Sequence, residues 1–278
     1  MSDPWMRWHR AFFFVVLWFT LWVGYFGFFE PLQILRALPW PLPPLHARVV
    51  GAMYLAATLF LLLAMLARTR LQVRTIVDIA FVWTGWLLMV SILHRESFDL
   101  ARVQVWFWAV AYVSFPLAAA WLAWASPAPE VPEDARITRR WVPWILRVQG
   151  LALVLLALWL TLWPQSVVQW WPWKISALLA QVYAGPVLGF GVGSLWLAAR
   201  CNWCETLIPT LGLAALAWLA LLGSSWHQAL FSAGSWSKSL WFSSLLLLAC
   251  VSLGLAALAW RHGRPATTAS PRLLSEAA

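Results

Sequence analysis

Leu151-Ala152-Leu153-Val154-Leu155-Leu156-Ala157-Leu158-Trp159-Leu160-Thr161-Leu162 decides the fold. A strand of a membrane barrel alternates apolar and polar faces over about ten residues. Here only Thr161 interrupts an apolar run, so the backbone of this segment can be satisfied in hydrocarbon only by helical hydrogen bonds. Working outward, the chain contains eight such runs, at about 11–29, 46–67, 75–94, 103–125, 143–163, 175–199, 206–225 and 237–260. Segments of about 18 to 25 residues cross roughly 30 Å of hydrocarbon as helices.

Composition agrees with this reading. Of 278 residues, 63% are hydrophobic and 10% charged, with a mean hydropathy of +0.75. A soluble domain carries about a quarter charged residues. The expected class is an all-α integral membrane protein of eight transmembrane helices. The first run follows Arg7 and Arg10, as a secretory signal would, but continues to Glu30-Pro31 without a small-x-small cleavage pattern. It is therefore read as a retained helix. Cys250 lies in an apolar run and the other two cysteines share one helix junction, so no disulfide framework is indicated.

The runs divide into two sets of four that share landmarks in the same order. Leu17 to Trp22 resembles Leu158 to Trp163, and Trp40-Pro41-Leu42 resembles Trp171-Pro172-Trp173. The second spans end in Leu66-Ala67-Arg68 and Ala198-Ala199-Arg200, and the third close with Ser91-x-x-His94-x-x-x-Phe98 and Ser224-x-x-His227-x-x-x-Phe231. Val105-Trp106-Phe107 is matched to Leu240-Trp241-Phe242. The pattern predicts a tandem duplication of a four-helix unit. Because each unit has an even number of spans, both enter the membrane from one side. The repeats are then parallel, related by a pseudo-twofold axis along the membrane normal.

The expected organisation is a first repeat over 1–125, a linker over 126–142, a second repeat over 143–261 and a polar tail over 262–278. With the N-terminus inside, thirteen Lys and Arg residues fall on inner segments and six on outer ones. The positive-inside rule then puts both termini in the cytoplasm of a bacterial-type cell membrane. The net charge of +9 reflects this topology and contact with anionic lipid. The basic residues are spread over many loops, which excludes nucleic acid as a partner. An aromatic belt at headgroup depth accounts for many of the 25 tryptophans.

Several residues invite a chemical reading. His94 and His227 end equivalent helices, where two imidazoles could hold a metal, haem or pigment; the plainer reading is that each caps its helix. His46, on the same face, aligns with about Ala177 and has no counterpart. Asp78 is an acid inside a span, with Arg74 one turn earlier as its expected ion partner. Cys201 and Cys204 form a C-x-x-C, a candidate redox dithiol that lacks the further ligands of a zinc site. Gly185, Gly189 and Gly193 recur every four residues and make a smooth face for close helix packing. They align with about Tyr54, Thr58 and Leu62. No Walker loop, nucleophile elbow, HExxH or dinucleotide fingerprint occurs.

The spans are poor in the ionisable and amide groups that line a polar transport path. No acid, base and metal set converges as an enzyme requires. The favoured function is thus a scaffold or accessory subunit, with lipid, cofactor or partner helices packed on its Trp-rich and Gly-rich surfaces. Next comes a carrier of an apolar or amphipathic molecule, its site at the repeat interface. Last comes a redox or metal/haem protein using the outer histidines.

Overall fold

The computed structural model describes residues 3–40, 42–231 and 236–263. Its helices are α1 (Pro4–Phe28), α2 (Pro44–Leu66), α3 (Arg70–Leu93), α4 (Val103–Ala125), α5 (Trp141–Leu162), α6 (Pro164–Trp170), α7 (Ala177–Arg200), α8 (Trp203–Ser225) and α9 (Trp236–His262). All but α6 are long and apolar enough to cross a membrane, and no strand forms among the described residues. The chain reads as an integral membrane protein. Its near side is the end that carries Pro4, Trp141 and His262, and its far side is the opposite end. Pro41 and the tail beyond Gly263 lie outside the described residues.

Helix limits follow from capping more than from hydropathy. α1 starts at Pro4, ahead of the apolar run, because Asp3 accepts the Trp5 N–H and proline in the first turn gives up no needed donor. α3 opens with a capping box between Thr69 and Gln72. α8 opens with Asn202, whose side chain accepts the Glu205 N–H. Pro164 occupies the first turn of the short α6, where proline is tolerated.

Four antiparallel pairs make the bundle: α1 with α2, α3 with α4, α5 with α7, and α8 with α9. They are joined crosswise, α2 against α8 and α3 against α7, with α3 meeting α8 at the centre, whereas α2 touches α3 only slightly. One core therefore draws on the whole chain, from Phe13 and Tyr54 through Ile79 to Tyr183 and Phe190. Hydrophobicity does not drive helices together in lipid, so small residues set the closest approaches. A Cβ on Gly51 would lie 2.3 Å from the Phe28 nitrogen, and one on Gly150 would lie 2.8 Å from the Gly191 carbonyl oxygen. Gly185, Gly189 and Gly193 lie along α3, against Trp83 and Ile79. A Cβ at Gly193 would meet Ile79 at 2.7 Å; on α8, one at Gly212 would meet Phe60 of α2 at 2.9 Å.

The linker is more than an exposed connector. The Ile137 N–H donates to the Cys201 carbonyl at 2.8 Å, and Arg136 forms an antiparallel bridge with Asn202, tying the linker to the α7–α8 junction.

Candidate functional site

On the near side, Arg200 at the end of α7 bridges two acids. Its guanidinium donates to Asp78 at 2.7 Å and to the fully buried Glu205 at 3.0 Å. Thr75 Oγ1 and the Asn202 amide complete the Glu205 carboxylate, at 2.8 and 2.7 Å. Asp78 therefore pairs with Arg200 and not with Arg74, the neighbour one turn away on its own helix. The partner lies 122 positions on, at a helix end brought close only by the α3–α7 contact. Cys201 adopts a left-handed conformation (φ 49°), and its Sγ donates to the Ala198 carbonyl. The Cys204 thiol contacts the Gly263 carbonyl at 3.7 Å. Among the described residues no group of three or more His, Cys, Asp or Glu could hold a metal.

The three far-side histidines are each engaged by another element. His46 Nε2–H donates to the Lys174 carbonyl at 2.8 Å, which leaves Nδ1 to accept from the Tyr183 hydroxyl at 2.8 Å. Neither nitrogen of that ring is free to ligate. His94 Nε2–H donates to the side-chain amide oxygen of Gln181, Oε1, at 2.6 Å. His227 Nε2 accepts from Arg48 at 2.6 Å, because a guanidinium can only donate. The histidines thus tie α3 to α7 and α8 to α2 and converge on no common ligand. His46 and His227 would have to surrender these bonds to ligate a haem or metal, whereas the His94 bond uses Nε2–H and leaves Nδ1 outside it.

His227 sits outside the spans, and burial first, then the Arg48 charge, hold its pKa below the ordinary 6.5. A histidine held below its unfolded value contributes stability above about pH 6.5 and loses it as pH falls toward the folded value. His227→Gln keeps an acceptor for Arg48 and removes the titration. The thermal midpoint of the wild type relative to this variant is expected to drop between pH about 7.5 and 5.5. A pH-independent difference in detergent melts rejects the assignment.

Each half also has an indole cage on the far side. Trp40 packs edge-on against Phe98 and Trp108, at 5.3 and 4.8 Å between ring centroids. Trp173 does the same with Phe231 and Trp241, at 5.0 and 4.9 Å. Trp108 donates to Ser91 at 2.8 Å and Trp241 to Ser224 at 3.0 Å. Below the first cage the space between α1 and α4 is plugged by aromatic side chains. Phe19 packs on Tyr54, Tyr112 and Phe115; Tyr54 packs on Trp83 and hydrogen-bonds the Tyr112 hydroxyl.

Below the second cage there is no plug. An apolar groove of about 500 Å³ opens between α5 and α9 with α7 and α8 as its floor. Ala152, Val187, Leu216, Leu245 and Leu248 line it, and Trp144 on the near side and Trp170 and Trp236 on the far side stand at its rim. A second hollow of about 430 Å³ continues toward the near side past Ile145 and Val251 to Trp141 and Arg261. Its volume lies in the range of ligand sites, roughly 300–1,000 Å³, and its walls are of the apolar kind those sites have. Gln149 and Trp171 are among the lining residues, and their Oε1 and Nε1 atoms are buried without a partner.

No family model, curated protein or solved structure matches the chain.

Of the residues given a chemical reading from sequence, none lines the groove, although Trp171, Pro172, Leu240 and Trp241 of the repeated motifs do. His46 reaches it only through Tyr183, which does. The groove was missed because it depends on the sizes of apolar side chains on helices far apart in sequence, which hydropathy does not record.

Proposed function

We propose that the protein is a non-catalytic membrane scaffold that holds the apolar body of a lipid in the groove between α5 and α9. It is a tandem duplication folded about a pseudo-twofold axis along the membrane normal, with both termini in the cytoplasm of a bacterial-type cell membrane. A constant spacing of 133 positions supports the duplication. It relates Ser91, His94, Phe98 and Trp108 to Ser224, His227, Phe231 and Trp241, and Trp40 to Trp173. It relates Arg48 to Gln181, so the two histidine ties are equivalent, and Thr69 to Asn202, so the two helix caps are too. At this spacing α1 and α5 bury the same face, with Phe13, Val16, Thr20 and Gly24 against Leu146, Gln149, Leu153 and Ala157.

This register differs by a few residues from the one that short motifs suggested. Leu17 to Trp22 and Leu158 to Trp163 stand two turns out of it, and Trp108, not Trp106, answers Trp241. The counterparts of Gly185, Gly189 and Gly193 become Ala52, Ala56 and Phe60, and that of His46 becomes Leu179. Phe60 against Gly212 then mirrors Ile79 against Gly193 with large and small exchanged. The glycine stripe is thus half retained, with compensation where it is broken.

The observation that carries the function is the removal of the plug. Phe19, Tyr54, Trp83, Tyr112 and Phe115 fall opposite Ala152, Val187, Leu216, Leu245 and Leu248, and all five replacements line the groove. Every one of them loses ring volume. A void opening sideways from a bundle of spanning helices faces lipid tails, and its apolar walls of aliphatic and aromatic side chains suit a chain that lies along them.

Purified in mild detergent, the protein is expected to retain lipid through delipidation and to label on α5 and α9 with a diazirine fatty acid. The double change Val187→Tyr and Leu245→Tyr restores the first half's tyrosine pair and is expected to reduce labelling about tenfold or more while leaving the melting midpoint unchanged or raised. Equal labelling of variant and wild type would sink the reading. An absorbance band from a bound haem or pigment that survives filling of the groove would favour the redox alternative.

A further inference from the structure

The hollow at the near-side end of the groove terminates at a cation. It opens between the start of α5 and the end of α9 and shares Ile145 and Val251 with the main groove, so the two make one apolar track. Arg261, in the last turn of α9, lines this hollow together with Trp141. The arginine is exposed and forms no salt bridge among the described residues. Gly254 leaves the wall open, since a Cβ there would meet nothing within 4 Å.

At the 133-residue spacing the first half fills this place and lacks the charge. Gly254 answers to Trp121 and Trp141 to Trp8, and those two indoles pack edge-on at 5.7 Å between centroids. Ala257 answers to Trp124, Ile145 to Phe12 and Arg261 to Ala128. Basic residues at near-side helix ends serve topology in general, and Arg140 accordingly has a counterpart in Arg7. Arg261 has none, and its charge accompanies the opening.

We propose that the groove's occupant is an anionic phospholipid whose phosphate rests against Arg261, with a tail running past Gly254 and Val251 into the main groove. The assignment rests on the lipid-holding role argued above and deepens it. From Arg261 to Leu248 is about 20 Å along α9, close to one leaflet with its headgroups, half of roughly 40–45 Å. A guanidinium donates to phosphate in bidentate fashion, and at an exposed position it does so without burying a charge. No acid lines the hollow to pair with a choline or ethanolamine cation, so a net negative head is preferred. The proposed topology puts this end at the cytoplasmic leaflet, which supplies such lipids.

The test uses the full-length, delipidated protein in a neutral detergent. Its probes are phosphatidylglycerol and phosphatidylcholine with the same diazirine tail, and labelling is mapped onto α5 and α9. The wild type is expected to label roughly fivefold more from phosphatidylglycerol, the effect of about one basic residue beside anionic lipid, and to lose this preference in about 1 M salt. Arg261→Gln is expected to label alike from both, at the wild type's phosphatidylcholine level. Gly254→Trp, which imitates the first half, keeps the charge but closes the hollow and is expected to lose most phosphatidylglycerol labelling. Both positions are exposed, so the melting midpoints of both variants are expected to match the wild type. Equal labelling of the wild type by the two lipids, or a preference that survives either variant, overturns the headgroup assignment while leaving the lipid groove intact. Loss of the preference to millimolar glycerol phosphate overturns the lipid as its source and makes free phosphate the ligand. Labelling unaffected by Val187→Tyr with Leu245→Tyr overturns the groove reading itself.

Discussion

Arg200→Ala is expected to destabilise the protein by about 3–5 kcal/mol, because it leaves a buried acid without its counter-charge. Glu205 has no exposed side-chain surface, whereas Asp78 keeps 13% of its side chain exposed. Removing the bridging guanidinium strands both acids against each other inside the α3–α7–α8 junction. The cluster carries one more acid than base even when intact, so Thr75 and Asn202 already compensate part of it. The double change Arg200→Leu with Glu205→Gln is expected to recover more than half of the loss, since an apolar or neutral replacement of a buried ion pair is often tolerated. Reversible unfolding in mixed micelles measures this. If Arg200→Ala costs under about 1 kcal/mol, the cluster is no more than a solvated surface pair.

Gly51→Ala is expected to cost about 3 kcal/mol, the upper range for overpacking. Its new methyl would sit 2.3 Å from the Phe28 nitrogen and 2.6 Å from the Gly27 carbonyl carbon. Both obstacles are backbone, which cannot rotate aside as a side chain can, so α1 and α2 must part. Gly254→Ala is the natural control, because nothing lies within 4 Å of the added carbon, and alanine favours the helix by about 1 kcal/mol over glycine. The pair is compared by thermal melts in one detergent. A Gly51→Ala midpoint equal to that of Gly254→Ala shows that the two helices approach less closely than described.

Much of the architecture was legible because length and hydropathy record it directly. Leu151 to Leu162 reads only as a helix long and apolar enough to cross a membrane, and the eight spans follow by the same test. Less legible were relations between distant positions. Asp78 next to Arg74 suggests a local pair, yet the chain solves the problem with Arg200, because sequence proximity carries no knowledge of which helices touch. The register of the proposed repeat is blurred in sequence: Trp, Leu and Phe recur so often that short motifs match at several spacings. Contacts such as Trp108 to Ser91 and Trp241 to Ser224 support one of them. The groove was the least legible, since it depends on how helices far apart in sequence leave space between them.

The crosswise joining of the helices has a consequence in time. Asp78 is made 122 residues before Arg200, and chains grow at roughly 5–20 residues per second. For on the order of ten seconds the acid sits in or near the bilayer without its partner, and α2 waits equally for α8. The first four helices cannot complete their core alone. A nascent chain halted at residue 130 is therefore expected to be held by the insertion machinery or degraded, and assembly becomes a single late event once α8 has emerged.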